Sequence, residues 1–191
     1  TSVLVVERDR PRAEATKRLL VEQGYGVTGV LTDMSRFAEA AAQTTADAIM
    51  IYATEPDQEL LDALRALPTE QRRPTILITE DGSTDAIHQA VAAGVNACVV
   101  VGVNGNRIRS AIDLAKANFS NTLGLREELD EARNALRDRK VIERAKGIIM
   151  RERALDEDAA YTLLRTRAMQ RGVRLVAVAE MVVEAAEVMQ L

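Results

Sequence analysis

Only 3% of the 191 residues are aromatic, and the chain has no tryptophan, one cysteine and one histidine. A lone Cys98 excludes an internal disulfide and a cysteine-based zinc cluster, and a lone His88 removes most metal and acid/base constellations. Neither a metal nor a cofactor is expected. Cys98 falls in an apolar run and reads as a small core residue. No run of about 18 apolar residues is present to cross a bilayer, and the first residues carry no basic, then apolar, then small-residue export signal. A cytoplasmic protein without membrane association is the expectation. No grouping of nucleophile, base and oxyanion donor emerges, so there are no catalytic residues to name and an enzyme is not expected.

What is present is aliphatic: 47% of the residues are hydrophobic. Their pattern changes along the chain. In the first hundred residues, short β-branched runs at 2–6, 27–31, 47–52, 75–79 and 97–101 read as buried strands. Helical stretches at 12–23, 34–43, 59–67 and 84–93 separate them, with Gly24 and Gly94 as stops. Five strands alternating with helices predict a doubly wound parallel sheet, an α/β fold whose ligands meet the carboxyl ends of the strands. Those ends are Glu7 to Asp9, Tyr52, Thr79 and Val101.

From Ile108 onward the apolar positions Ile112, Ala115, Phe119, Thr122, Leu125, Leu129, Ala132 and Leu136 follow at steps of three and four. This is a coiled-coil seam with one stammer near Gly124, flanked by Arg126, Glu127, Glu128, Asp130, Glu131 and Arg133. A parallel homodimer through the coiled coil is its natural product. Three helices are then predicted at 139–153, 156–171 and 174–191, with Asp156 capping the second and Gly172 ending it. The third buries Leu175, Val178, Ala179, Val182, Ala185 or Ala186, and Met189, and its outer face carries Glu180, Glu184 and Glu187. The organisation expected is 1–107 for the α/β domain, 108–138 for the helical linker and 139–191 for a three-helix bundle.

Charge divides the chain as well. The formal net charge is −4, yet residues 133–174 hold twelve Lys/Arg against six Asp/Glu. A basic module beside an acidic one suits a polyanionic partner. On a helical wheel, Val141, Ile142, Ala145, Ile148 and Ile149 form a core arc, while Arg137, Lys140, Arg144, Gly147 and Arg151 recur along a neighbouring one. Glycine within a helix costs about 1 kcal/mol relative to alanine, so Gly147 suggests that a helix or a nucleic-acid backbone comes close there. The candidate RNA-binding residues are Lys140, Arg144, Lys146 and Gly147, with Tyr161 offering a ring and Arg165 a planar cation one turn later. An acidic third helix should be avoided by RNA.

Two family resemblances add to this. The motifs Asp47-Ala48-Ile49-Met50-Ile51-Tyr52 with Pro56, Ile78-Thr79, and Ala93-Gly94-Val95-Asn96 resemble the receiver domain of two-component response regulators. That family is phosphorylated on an aspartate ending the third strand, using paired acids after the first strand and a lysine after the fifth. Here those positions hold Tyr52, Glu7 with Arg8, and Val101, and only Thr79 is kept. Reading Asp9 as the second acid leaves Tyr52 and Val101 unsuited. A phenol forms no acyl phosphate and valine neutralises no phosphoryl oxygen, so this is a degenerate phosphorylation site in a pseudo-receiver. Tyr52 is expected to hold its hydroxyl in solvent.

The second is carried by Ile142-Glu143-Arg144-Ala145-Lys146-Gly147-Ile148-Ile149-Met150, Asp158-Ala159-Ala160-Tyr161-Thr162-Leu163-Leu164-Arg165, Ala168-Met169 and Val178-Ala179. These resemble the ANTAR domain of transcription antitermination regulators. His88-Gln89-Ala90-Val91-Ala92-Ala93-Gly94-Val95 looks closer to the NasT-like, nitrate- and nitrite-responsive members. The resemblance implies an antiterminator that binds paired stem-loops in a leader mRNA. It also implies control by a nitrate- or nitrite-sensing inhibitory protein rather than by phosphorylation. A DNA-binding response-regulator-like transcription factor is the alternative, with the second bundle helix as its recognition element.

Overall fold

The computed structural model describes residues 1–101 and 107–188. Met189, expected on the last apolar stripe, lies outside the described residues. Five strands, β1 (Ser2–Val6), β2 (Gly26–Leu31), β3 (Ala48–Ala53), β4 (Thr75–Thr79) and β5 (Ala97–Val100), form one sheet of order β2-β1-β3-β4-β5. Every pairing is parallel. Intervening helices are α1 (Arg10–Glu22), α2 (Phe37–Gln43), α3 (Gln58–Ala66) and α4 (Thr84–Ala93). The helix expected from Met34 begins instead as a 3-10 turn, Met34–Arg36, under an Asp33 side chain that accepts from the Ser35 amide.

Alternation along the strands explains the layering, because successive side chains leave opposite faces of a sheet. Leu4, Val6, Ile49, Ile51 and Leu77 pack with Phe37, Leu60, Leu61, Leu64 and Ala90 from α2, α3 and α4. Val3, Val5, Ala48, Met50 and Ile76 pack on the other side with Leu20 of α1 and Ala111, Ile112 and Ala115 of α5 (Arg107–Arg153). Both faces are covered, so the strands carry apolar residues at nearly every position. The order reverses between β1 and β3, which puts the switch-point crevice at Glu7 and Tyr52.

The chain divides into two compact units, Thr1–Leu123 and Gly124–Leu191. Helix α5 is continuous for 47 residues, without a break at Gly124 or ahead of Arg139. In the second unit it is followed by α6 (Glu157–Arg171) and α7 (Leu175–Val188). Asp156 caps α6 by accepting from the Ala159 amide. Gly172 ends that helix at φ 64°, a left-handed conformation that glycine adopts without a Cβ penalty. Ala145 and Ile149 of α5, Ala160, Leu164 and Ala168 of α6, and Val178 and Ala179 of α7 make the bundle core. Alanine at four of these positions lets the helices approach closely.

Candidate nucleic-acid interface

The core arc of α5, centred on Ala145, leaves two flanks. Arg144 lies on one and Lys146, two residues on and about 160° around the helix, on the other. The basic residues therefore do not form one patch.

On the first flank, Arg137, Lys140, Arg144, Gly147 and Arg151 keep the spacing of a single stripe, and all are exposed. Two of its arginines meet α7: Arg137 Nη2 stands 3.7 Å from Glu180 Oε1, and Arg144 Nη2 stands 2.8 Å from Glu187 Oε1. The acidic face of α7 thus borders the basic stripe instead of lying apart from it. Gly147 was expected to admit a close neighbour, yet a Cβ placed there would meet nothing within 4 Å. It opens instead onto a groove of about 360 Å³ lined by Arg144, Gly147, Ile148, Arg151, Val183, Ala186 and Glu187.

The second flank is built differently. Lys146 is only 7% exposed, and its ammonium is held by Glu157 Oε1 at 2.6 Å and Glu143 Oε1 at 2.9 Å. Its aliphatic stem is covered while its head reaches out between two exposed carboxylates. Hydrogen bonds to Glu157 and then to Glu143 push the lysine above its ordinary value, and the lysine draws the Glu157 carboxyl below its own. A raised lysine stabilises the fold until pH climbs through its folded value, and a depressed glutamate does so until pH falls through its own. The tie between α5 and α6 is accordingly charged and intact throughout the neutral range. Tyr161 and Arg165 follow Glu157 at steps of four on the same side of α6, and both are exposed.

The switch-point crevice of the α/β unit, the degenerate phosphorylation site of the sequence, is a cavity of about 210 Å³ lined by the chain's own ion pairs. Glu7 is 3% exposed and accepts from the Asp9 amide through Oε1. Its Oε2 has no hydrogen-bond partner among the described residues and is balanced by Arg12 Nε at 3.1 Å. The Arg12 guanidinium lies 4.3 Å from the centroid of the Tyr52 ring and reaches Glu80 at 3.6 Å. Arg8 pairs with Asp57 and Glu59.

The expectation of a free Tyr52 hydroxyl is corrected: it donates to Glu80 Oε1 at 2.8 Å. Burial first, and that bond second, push the phenol up, so it stays protonated. Thr79 is buried and donates to the Thr54 carbonyl, and Val101 is exposed. Sequence reasoning passed over Arg12 and Glu80, and it named Glu180 and Glu187 only as a face that RNA avoids, not as partners of Arg137 and Arg144. A signal existed for that pairing, since the glutamates' spacing of seven repeats that of the arginines.

Residues 130–183 match the family described as the ANTAR domain. Over 182 residues the chain is 26% identical to the transcriptional regulatory protein PdtaR of Mycobacterium tuberculosis, in strains CDC 1551 and H37Rv alike. The match spans 95% of this chain and 89% of that protein. Among solved structures, a CheY-like response regulator receiver domain protein from Methanospirillum hungatei JF-1 overlays with a TM-score of 0.53 at 18% identity, covering 64% of this chain and 98% of its own. A putative pilus assembly-related protein from Burkholderia pseudomallei K96243 gives a TM-score of 0.55 at 23% identity, covering 61% of this chain and 90% of its own. The structural matches establish a receiver fold for the first unit and nothing of its chemistry. No helix among the described residues is long and apolar enough to cross a membrane. The chain therefore carries an ANTAR domain over residues 130–183, behind an α/β domain of receiver fold.

Proposed function

We propose that this protein is an RNA-binding transcription antiterminator, whose ANTAR unit engages paired stem-loops in a leader transcript and prevents the terminator hairpin from forming. The observation that carries this reading is the exposed stripe of Arg137, Lys140, Arg144 and Arg151 on α5, open at Gly147 and located in the matched domain. Cations spaced along one helix neutralise phosphates, and an open backbone position lets the sugar-phosphate chain approach. Tyr161 and Arg165 add a ring and a guanidinium for unpaired bases. Lys140, Arg144 and Gly147 form the backbone contact, and Lys146 serves the site by tying α6, with Tyr161 and Arg165, to α5.

Two stem-loops call for two units. Leu125, Leu129 and Leu136 remain exposed on α5 at heptad-compatible spacing, which supports a homodimer through that seam. The ion pairs lining the Glu7 crevice, with Tyr52 in place of an aspartate, support control by a protein partner in place of phosphorylation. The resemblance of the sequence to NasT-like regulators suggests a nitrate- or nitrite-sensing inhibitor, and nitrate/nitrite assimilation genes as targets.

The alternative, a DNA-binding factor, would need α6 as its recognition helix. That helix buries Ala160, Leu164 and Ala168, with Ala159 and Leu163 half-buried, leaving a narrow reading face. In-vitro transcription through a terminator preceded by two leader hairpins separates the two. Antitermination predicts several-fold more read-through with the protein present, abolished when the hairpin loops are scrambled. Unchanged read-through together with a footprint on duplex DNA would favour the alternative.

A further inference from the structure

Helices α5 and α7 face each other through two matched charge pairs. Arg137 meets Glu180 and Arg144 meets Glu187, and both partners advance seven residues in the same direction. Seven residues span about 10.5 Å of helix, so the two pairs form a short parallel ladder. All four side chains remain substantially exposed. Such pairs are weak and salt-sensitive, each worth up to about fivefold in an equilibrium. They hold the arginines without sequestering them. The Gly147 groove adjoins the upper pair, with Arg144 and Arg151 on one wall and Glu187 on the other.

We propose that Glu180 and Glu187 act as a selectivity gate on the basic stripe, occupying the arginines until a backbone presents phosphates to both at once. This rests on the RNA reading and deepens it. A flexible single strand that reaches one arginine displaces one glutamate and leaves the other pair in place, and its phosphate sits beside a freed carboxylate. A folded hairpin holds its phosphates at fixed spacing and displaces both together, with its backbone lying along the groove that Gly147 leaves open. The glutamates thus reduce affinity for every polyanion, and most for unstructured ones. Sequence-independent charge attraction would otherwise dominate binding.

The test compares wild type with Glu180→Gln/Glu187→Gln on a two-hairpin RNA, on single-stranded RNA of equal length, and on a heparin column. The gate predicts hairpin binding about threefold to tenfold tighter in the variant, a larger gain for the single strand, and elution from heparin at higher salt. Hairpin and single-strand affinities that rise by the same factor, or change by less than twofold, overturn it. Failure of both proteins to bind any RNA would refute the RNA reading. In that event later elution of the variant from heparin still supports the clasp on Arg137 and Arg144, and unchanged elution overturns it. Gly147→Leu provides an independent arm. Leucine favours helix over glycine, so the fold should become more stable while hairpin affinity drops at least tenfold. Undiminished binding by that variant overturns the groove as the backbone's path.

Discussion

Arg12→Ala is expected to lower the unfolding free energy of the α/β unit by about 2 kcal/mol, a large loss for a change on a helix surface. Glu7 is the reason. Its carboxylate is buried, and the oxygen without a hydrogen bond depends on Arg12 Nε for its compensation. Removing one member of a buried pair typically costs about 3–5 kcal/mol. Arg12 is itself partly exposed, so water can follow its departing side chain and the expected loss is smaller. Arg12→Lys restores the charge without the flat guanidinium over Tyr52, and about 0.5–1 kcal/mol should be lost. Glu7→Gln in the Arg12→Ala background should recover part of the stability, because a neutral amide is cheaper to bury. Urea melts of the four proteins check this, and an Arg12→Ala variant as stable as wild type would mean that Glu7 needs no counter-ion.

Leu125→Asp/Leu129→Asp is expected to convert the proposed dimer to a monomer while leaving each fold intact. The two leucines are 67% and 49% exposed on α5, so aspartate displaces little intramolecular packing. In a parallel seam the same positions would face their copies, and four carboxylates would be brought together in an apolar interface. Joining two binding modules raises apparent affinity by about 10²–10⁴ when both sites are engaged. Affinity for a two-hairpin RNA should therefore fall at least a hundredfold, and affinity for one isolated hairpin should hardly change. Sedimentation measures the first claim and titration of both RNAs the second. A variant that still sediments as a dimer would place the interface elsewhere.

Legibility followed the range of the interactions. The β-strands were readable within a residue or two because a doubly covered parallel sheet demands continuous apolar runs, as at 75–79. Helix ends were readable where caps are local, as at Asp156 and Gly172. The start of α2 was misjudged because Asp33 favours a 3-10 turn that apolar periodicity does not register. In the candidate site the stripe from Arg137 to Arg151 was visible, since one helix carries it. The environment of Lys146 was not, because Glu157 lies eleven residues away on another helix. Arg12 escaped notice for a similar reason: its partners Glu7, Tyr52 and Glu80 converge only when β1, β3 and β4 pair.

The central claim is that the Arg137 to Arg151 face of α5 binds structured RNA. Its most direct test is titration of a two-hairpin leader RNA and a matched DNA duplex across salt, with wild type, Lys140→Ala/Arg144→Ala and Lys146→Ala. The account predicts RNA-selective binding that weakens steeply with salt, and an affinity loss of about tenfold or more in the double variant. The double variant's salt dependence should be shallower by about two phosphate contacts, or about 1.4–1.8 in log–log slope. Lys146→Ala should weaken binding with little change in slope, since its ammonium is already neutralised by Glu143 and Glu157. Equal affinity for duplex DNA, or RNA binding untouched by losing Lys140 and Arg144, would contradict it.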